Sequence, residues 1–380
     1  MAKRALSIAR VGGFAAATLL LLLGHRGAAQ VFPASDAPAG YLVFPKVVVD
    51  VNSTPALDTV IQLTNTSAVD ARFAHCFYVD AATWQEVNFT VPLTINQPTG
   101  WRVSEGISGV VPPMGDTFVG ELKCVEVNDP LSPTPINAND LKGEATIYAV
   151  AGGAGGSVDV RSYNAIGFQT LVTDAATQSR QCLAGSNVGG NCTTDAQCPN
   201  STCGVVMCLG DTAGSAECGS AEYVGCPNTL VLDNFFDGAA DPVTGNTITT
   251  DLTLVPCSQD LTLTGPEAQP ITTAQFLIFN EFEQRFSTSA RVQCFKETQL
   301  SNIDARAGQE ASSIFNVNVQ GTLTGQTRIR PVHTSDVTTG HGLLAVAEEF
   351  HGSGSVAVNV DQVGTNAGKG DFVRFSVTTQ

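Results

Sequence analysis

The sequence predicts an all-β protein: two antiparallel β-sandwich domains with a small disulfide-rich insertion between them. Three observations carry this. Helical periodicity is nearly absent, while apolar and polar residues alternate with period two wherever the chain leaves its Gly, Pro, Asn and Asp punctuation. Roughly eight strand candidates precede residue 175 and about nine follow residue 228, and that many short strands builds one sandwich each. Six of the eleven cysteines fall between Cys182 and Cys218, in a stretch otherwise dominated by Gly, Ser, Thr, Asn and Asp.

In chain order, the first-half candidates are YLVFPKVVV, DTVIQLTN, RFAHCFYV, NFTVPLTI, GWRVS, FVGELKCVEV, GEATIYAV and SVDVRSYNAIG. Phe89, Val91, Leu93 and Ile95 face one way, with Thr90 and Thr94 facing the other, the pattern of a half-buried antiparallel strand. Asn65 and Ser67 suit a tight turn joining two paired strands, and Pro98-Thr99-Gly100 a corner where the next strand changes sheets. The GGAGGS run from Gly152 to Ser157 lacks the Lys and Ser/Thr of a phosphate loop and reads as a connection or turn.

The second half begins with TLVLDNFF and ends with DFVRFSV. AQFLIFNE, around Phe276 to Phe279, is apolar on both faces and reads as a central strand. IFNVNVQG alternates Phe315, Val317 and Val319 against Asn316, Asn318 and Gln320, and SVAVNVDQ repeats the pattern with Val356, Val358 and Val360. The halves also echo one another. LVFPKVVVD then DTVIQLTN is echoed by LVLDNFFDG then TTDLTLVP, QPTGWRV by LTGQTRI, and KGEATIYAV by HGLLAVAEE, an order that argues for a duplicated domain.

The succession of a strand ending in LTNTS, RFAHCFYV and FTVPLTINQPTGWRV resembles bacterial immunoglobulin-like modules. Together with VGELKCVEV, LKGEAT, YNAIG, LVLDNFFDGA, LTLVPC, FNEFEQRFSTS and LSNID, it is similar to an uncharacterised group of secreted bacterial proteins. That resemblance implies two immunoglobulin-like sandwiches and carries no activity. The GG-x-C-T-x-D-x-x-C-P core at 189–199 resembles short Cys-rich units of secreted bacterial proteins. The expected division is a signal peptide at 1–29, a sandwich at 30–175, a disulfide-rich insertion at 176–226 and a second sandwich at 227–380.

The first 29 residues carry Lys3, Arg4 and Arg10 before an apolar stretch from Val11 to Leu23, then Gly27, Ala28 and Ala29, the form of a cleavable secretory signal cut after Ala29. Nothing later approaches the roughly 20 apolar residues of a transmembrane helix, so no membrane insertion is expected. Removing the signal leaves 15 basic against 35 acidic side chains, a net charge of −20. Such a surface repels nucleic acid and anionic lipid, both of which are bound through cationic side chains that displace counterions.

Secretion makes disulfides the default reading of the cysteines. Cys198, Cys203 and Cys208 lie at the outer limit of zinc spacing, with no CxxC or nearby His to complete a tetrahedral set. A redox centre would want an electropositive setting, and no Lys, Arg or His lies inside the stretch. Cys182, Cys192, Cys198, Cys203, Cys208 and Cys218, an even six, can instead close on themselves as a staple where aliphatic residues are too few for a core. Cys76 with Cys124 and Cys257 with Cys294 are the expected bridges of the two sandwiches, leaving Cys226 as the unpaired thiol, buried or joined to another chain.

No GxSxG, HExxH, P-loop or EF-hand spacing occurs, and no catalytic, cofactor-binding or metal residue is assigned. Glu349 and His351 in AEEFHGSG would share a strand face, beside Glu348, at a solvated strand end. Glu281 and Glu283 alternate with Phe282 in NEFEQRF, with Arg285 on their face as an ion-pair partner. His75 reads as a satisfied strand residue. Asp233, Asp237 and Asp241 could donate oxygens to calcium, though Asp-Gly and Asp-Pro there also suit ordinary turns. The leading expectation is a secreted, non-catalytic module that binds a protein or glycan partner. The alternatives are a hydrolase or carbohydrate-active enzyme using the carboxylates near Glu281 or Glu348, and a self-assembling subunit joined by a sheet edge or Cys226.

Overall fold

The computed structural model describes residues 33–131, 133–150, 158–170, 180–182, 191–200, 203–204, 223–257, 259–260, 270–332, 342–352, 354–364 and 373–374. The expected signal peptide, the Gly152–Ser157 run, Cys208 and Cys218 lie outside these residues. Strands of the first half are β1 (Tyr41–Asp50), β2 (Ala56–Asn65), β3 (Arg72–Asp80), β4 (Glu86–Leu93), β5 (Pro98–Arg102), β6 (Thr117–Val127), β7 (Leu141–Val150), β8 (Val158–Asn164) and β9 (Ile166–Phe168). The Cys-rich stretch contributes β10 (Arg180–Cys182), β11 (Asn191–Cys192) and β12 (Cys203–Gly204), a small sheet of its own. The second half follows with β13 (Thr229–Phe235), β14 (Ile248–Pro256), β15 (Gln259–Asp260), β16 (Ile271–Asn280), β17 (Arg285–Gln293), β18 (Lys296–Gln299), β19 (Gly325–Val332), β20 (Leu343–His351), β21 (Gly354–Asn359), β22 (Asp361–Val363) and β23 (Val373–Arg374).

Strand order repeats between the halves. In the first, β4-β3-β6-β1-β9 and β5-β2-β7-β8 are the two antiparallel layers of one nine-stranded sheet, whose ladders join where Asp50 of β1 meets Leu57 of β2 and whose apolar faces share one core. In the second, β17-β16-β19-β13-β22 and β18-β14-β20-β21 form the corresponding sheets. Each strand of one half therefore has a counterpart in the other; only the parallel pair β15–β23 stands outside the scheme. Three of the four sequence echoes match this equivalence: β1 with β13, β2 with β14, and β7 with β20. QPTGWRV and LTGQTRI do not, because the first is β5, whose counterpart is β18, and the second is β19, the counterpart of β6.

Three apolar cores hold the chain. Leu42, Phe44, Ile61, Tyr78, Phe89 and Trp101 belong to the core of the first half; Leu232, Phe235, Phe276, Phe315, Ile329 and Ala345 to that of the second. A further cluster joins Tyr41, Val43, Phe77, Val79, Val125 and Val127 of the first half to Val255, Cys257, Cys294 and Leu344 of the second. The first sheet of the first half is thus buried on both faces, and the unbroken apolar run of β1 is its signature. Phe32–Gln380 form one compact unit.

Several local expectations change. IFNVNVQG is not a strand: Asn316 caps a helical turn, Val317–Gln320, by accepting from the Asn318 N–H, and Gly321 closes it at φ +68°. Phe315, its one core side chain, packs against Phe235 and Phe276 at 5.7 Å. In β21, Ala357 points inward while Val356 and Val358 are exposed, the reverse of the expected facing. Ile95 is exposed in the turn after β4. The Asn65 turn is built as expected, with its side-chain oxygen accepting from Ser67 N–H, but it joins strands of the two different layers. The chain crosses between the layers again between β4 and β5, beside the Pro98-Thr99-Gly100 corner.

Cys76 and Cys124 are bonded as expected, but as directly opposed residues of neighbouring strands β3 and β6, so they staple one sheet to itself. Cys192–Cys203 closes within the Cys-rich stretch, and Cys198 is also disulfide-bonded. The expected Cys257–Cys294 bridge is not formed. Cys226, just before β13, reaches Cys257 at the end of β14, and Cys294 is the buried free thiol. Cys226 is therefore not free to join another chain. The correction follows from where the strands end: Gly342 at the entry to β20 lets the Cys226–Cys257 pair approach so closely that an added Cβ would lie 2.3 Å from Cys226 Cβ.

Peptide mapping of unreduced protein should recover Cys76–Cys124, Cys192–Cys203 and Cys226–Cys257, with Cys294 alkylated only after denaturation; a Cys257–Cys294 peptide would overturn this pairing. Gly342→Ala should lower stability by ~1–3 kcal/mol in urea unfolding, the usual cost of forcing atoms into a filled site.

Candidate functional site at the seam

The two halves meet along β8 and β21, topologically equivalent edge strands. Ser355 N–H donates to Asp159 Oδ1 at 3.0 Å, Asn164 N–H to Asn359 Oδ1 at 3.0 Å, and the Asn359 amide returns a 2.7 Å bond to Asn164 O. Beside this contact lies a cavity of about 510 Å³, walled by Leu57, Phe350 and the charged side chains of Lys46, Asp159, Arg161 and Glu297.

Glu348 on β20 organises the charges beneath it. It is 1% exposed, and its two carboxylate oxygens accept from Lys46 Nζ and Arg161 Nε. Lys46 also reaches Glu297 at 2.6 Å, and Arg161 Nη1 lies 3.6 Å from Asp159. Burial alone would raise the Glu348 carboxyl, but Lys46 and Arg161 overcome it and hold the group below its ordinary value. Burial likewise opposes the charge on Lys46, and Glu348 and Glu297 reverse the effect, leaving it raised. Asp251, opposite Glu348 in the β14–β20 ladder, is pushed up to about 6, chiefly by burial. Tyr163 clamps the Lys46 backbone, accepting from its N–H at 3.0 Å and donating to its carbonyl. The arrangement is chemically a locked ion cluster, with Glu348 held as a carboxylate that has no proton to give.

The sequence candidates are placed as follows. Glu349 and His351 do share a face: His351 Nε2 lies 2.5 Å from Glu349 Oε1, and Nδ1 2.8 Å from Asp241 Oδ2. Hydrogen bonds donated by the imidazolium to both carboxylates favour the charged ring and raise its pKa. Glu281 and Glu283 are not strand residues; they sit in the exposed hairpin turn between β16 and β17, with Glu283 at φ +61°. Glu281 Oε1 accepts from Thr324 N–H and Oγ1, each at 3.0 Å, and no described ion pair links the two glutamates to Arg285. The turn follows from Asn280, whose side-chain oxygen accepts from the N–H groups of Phe282 and Gln284.

The three aspartates take separate partners: Asp233 accepts from Gln326, Asp237 from Ser301 and Gln299, and Asp241 from the Val243 and Thr244 N–H groups as well as His351. Among the described residues they do not converge as a ligand set. The one group whose atoms do is Cys192, Cys198 and Cys203, and those sulfurs are in disulfides. His75 bonds Thr90 at 2.8 Å, and burial lowers its pKa to about 4, keeping it neutral.

Lys46, Arg161 and Glu297 were not singled out from the sequence. Lys46 does leave a trace, as the lone charge in LVFPKVVV, since a lysine in a fully buried run requires a partner. Its partners lie 251 and 302 residues away, beyond any local pattern.

No family model and no curated protein sequence matches the chain. Among solved structures, the CupB6 tip adhesin from Pseudomonas aeruginosa aligns over 87% of this chain and 92% of its own at 11% identity, with a TM-score of 0.12, a level at which no relation of fold follows. No described helix is long and apolar enough to cross a membrane.

Removing the Glu348 charge strands two buried cations, so Glu348→Gln should cost ~3–5 kcal/mol in urea unfolding. Because the folded Glu348 pKa lies below the ordinary 4.5, its contribution is complete above that value and is lost as pH falls through the folded one. The stability gap between wild type and Glu348→Gln should therefore be full at pH 6 and shrink on acidification. A gap independent of pH down to unfolding would show that Glu348 is not the charged keystone of the seam.

Proposed function

We propose that the protein is a secreted, non-catalytic scaffold of two immunoglobulin-like halves that works by binding or structural contact outside the cytoplasm. One observation carries this reading: of the carboxylates the sequence offers as acid/base machinery, Glu281, Glu348 and Glu349 are committed to structural partners, and Glu283 sits in an exposed turn. Glu348 is neutralised between Lys46 and Arg161, Glu281 caps Thr324, and Glu349 and Asp241 hold the two nitrogens of His351. General acid/base work needs a group free to exchange its proton at a substrate. Three described disulfides support an oxidising compartment, in keeping with the signal-like leader. The two-sheet halves, with their repeated strand order, support the immunoglobulin-like assignment, although the Cys76–Cys124 bridge lies within a sheet and not between sheets.

A broad panel of glycan and ester substrates should show no turnover by the purified, disulfide-bonded chain. Turnover abolished by Glu281→Gln or Glu349→Gln would replace this reading with a hydrolase.

A further inference from the structure

The outer face of β17, β16 and β19 carries four arginines in a chain of net charge −16. Arg285 and Arg291 lie on β17, Arg328 and Arg330 on β19, and all four are exposed. The ladders fix their places: along the central strand β16, Thr273 stands opposite Arg291, Gln275 opposite Arg330, Leu277 opposite Arg328, and Phe279 opposite Arg285. Directly opposed residues share a face, so every second residue of β16 has one arginine beside it. The rungs repeat at ~6.7 Å, two strand residues, over about 20 Å.

None of the four arginines forms an ion pair with a described residue, whereas Arg72, Arg102 and Arg161 all do. The Arg328 guanidinium lies 5.6 Å from the Phe279 ring centroid, over a half-buried apolar strip of Leu277 and Phe279. Among the described residues, the acidic groups of this face lie at its margins: Asp233 and Asp361 on β13 and β22, and Glu281 and Glu283 in the hairpin turn.

Duplication sharpens the contrast. The equivalent face of the first half, on β4, β3 and β6, carries Phe77, Val79, Val125 and Val127 and is covered by the second half at the seam. The second half's copy is uncovered and cationic.

We propose that this face binds a linear acidic polysaccharide, with the arginines pairing carboxylates along the chain and Leu277 and Phe279 supporting the apolar faces of sugar rings. Charges spread singly along a strand fit an extended polyanion better than a compact anion, and the planar guanidinium fork suits carboxylate. The inference rests on the non-catalytic binding role proposed above and names its ligand class.

The test measures binding of the full, disulfide-bonded chain to polygalacturonate, with neutral dextran and single-stranded DNA as comparison probes. Polygalacturonate should bind with affinity that falls steeply with salt, and dextran should not bind. The combined variant Arg285→Gln, Arg291→Gln, Arg328→Gln and Arg330→Gln should weaken binding by roughly 16-fold or more, taking each exposed pair as a factor of about two to five. Arg306→Gln, an exposed arginine in the loop before β19, should leave it unchanged. If the fourfold variant fails to fold, the edge-strand pair Arg285→Gln and Arg291→Gln decides, with a loss of at least about fourfold by the same factors.

Absence of polygalacturonate binding, equal binding of dextran, tighter binding of DNA, or affinity untouched by the variants would each overturn the proposal. Release of reducing ends from bound polygalacturonate would instead sink the non-catalytic role while leaving the face intact.

Discussion

The second half's Glu348 is buried against two cations of the first half, and the relation between the halves depends on that contact. A carboxylate removed from water without partners would incur a desolvation cost of several kcal/mol, and so would a buried lysine. Lys46, Arg161 and Glu348 can therefore all be buried only when the halves are docked in this register. The apolar cluster around Tyr41, Phe77 and Leu344 removes a block of apolar surface from water, but apolar contact tolerates sliding. The ion cluster does not, because a shift of one residue would leave a charge unpaired. Cohesion thus comes from the apolar surface and geometric uniqueness from the charges.

The same duplication gives its two copies opposite fates. In the first half, the β4-β3-β6 face is apolar enough to be sealed, yet it also buries the Glu121–Lys123 pair at 2.5 Å beneath Trp84. In the second half, the corresponding face has shed its large apolar residues for arginines, apart from Leu277 and Phe279. The two halves thus differ in one face, covered at the seam in the first and uncovered in the second.

Much of the architecture was legible because strand signals are local. Period-two alternation located β4, and AQFLIFNE, apolar on both faces, proved to be the central strand β16. What failed did so for identifiable reasons. IFNVNVQG alternates as a strand should, but Asn316 and Gly321 are capping residues, and the caps won. Val356 and Val358 suggested a buried face, but β21 meets β8 edge to edge, and the small Ala357 fits inward. Cys226, Cys257 and Cys294 gave only an odd count; which two met depended on strand ends 31 residues apart. The seam was invisible because its partners lie hundreds of residues apart, and the arginine ladder because cross-strand register cannot be read from composition.

The meeting of β8 with β21 has a topological meaning. These are topologically equivalent strands, each at the end of its strand order, and each supplies hydrogen-bonding groups to the other. An exposed strand edge is normally an open valence, able to add another strand and then another. Here β8 and β21 cover each other's edge, so two strand edges that could each have accepted another strand are closed by a contact within the chain itself.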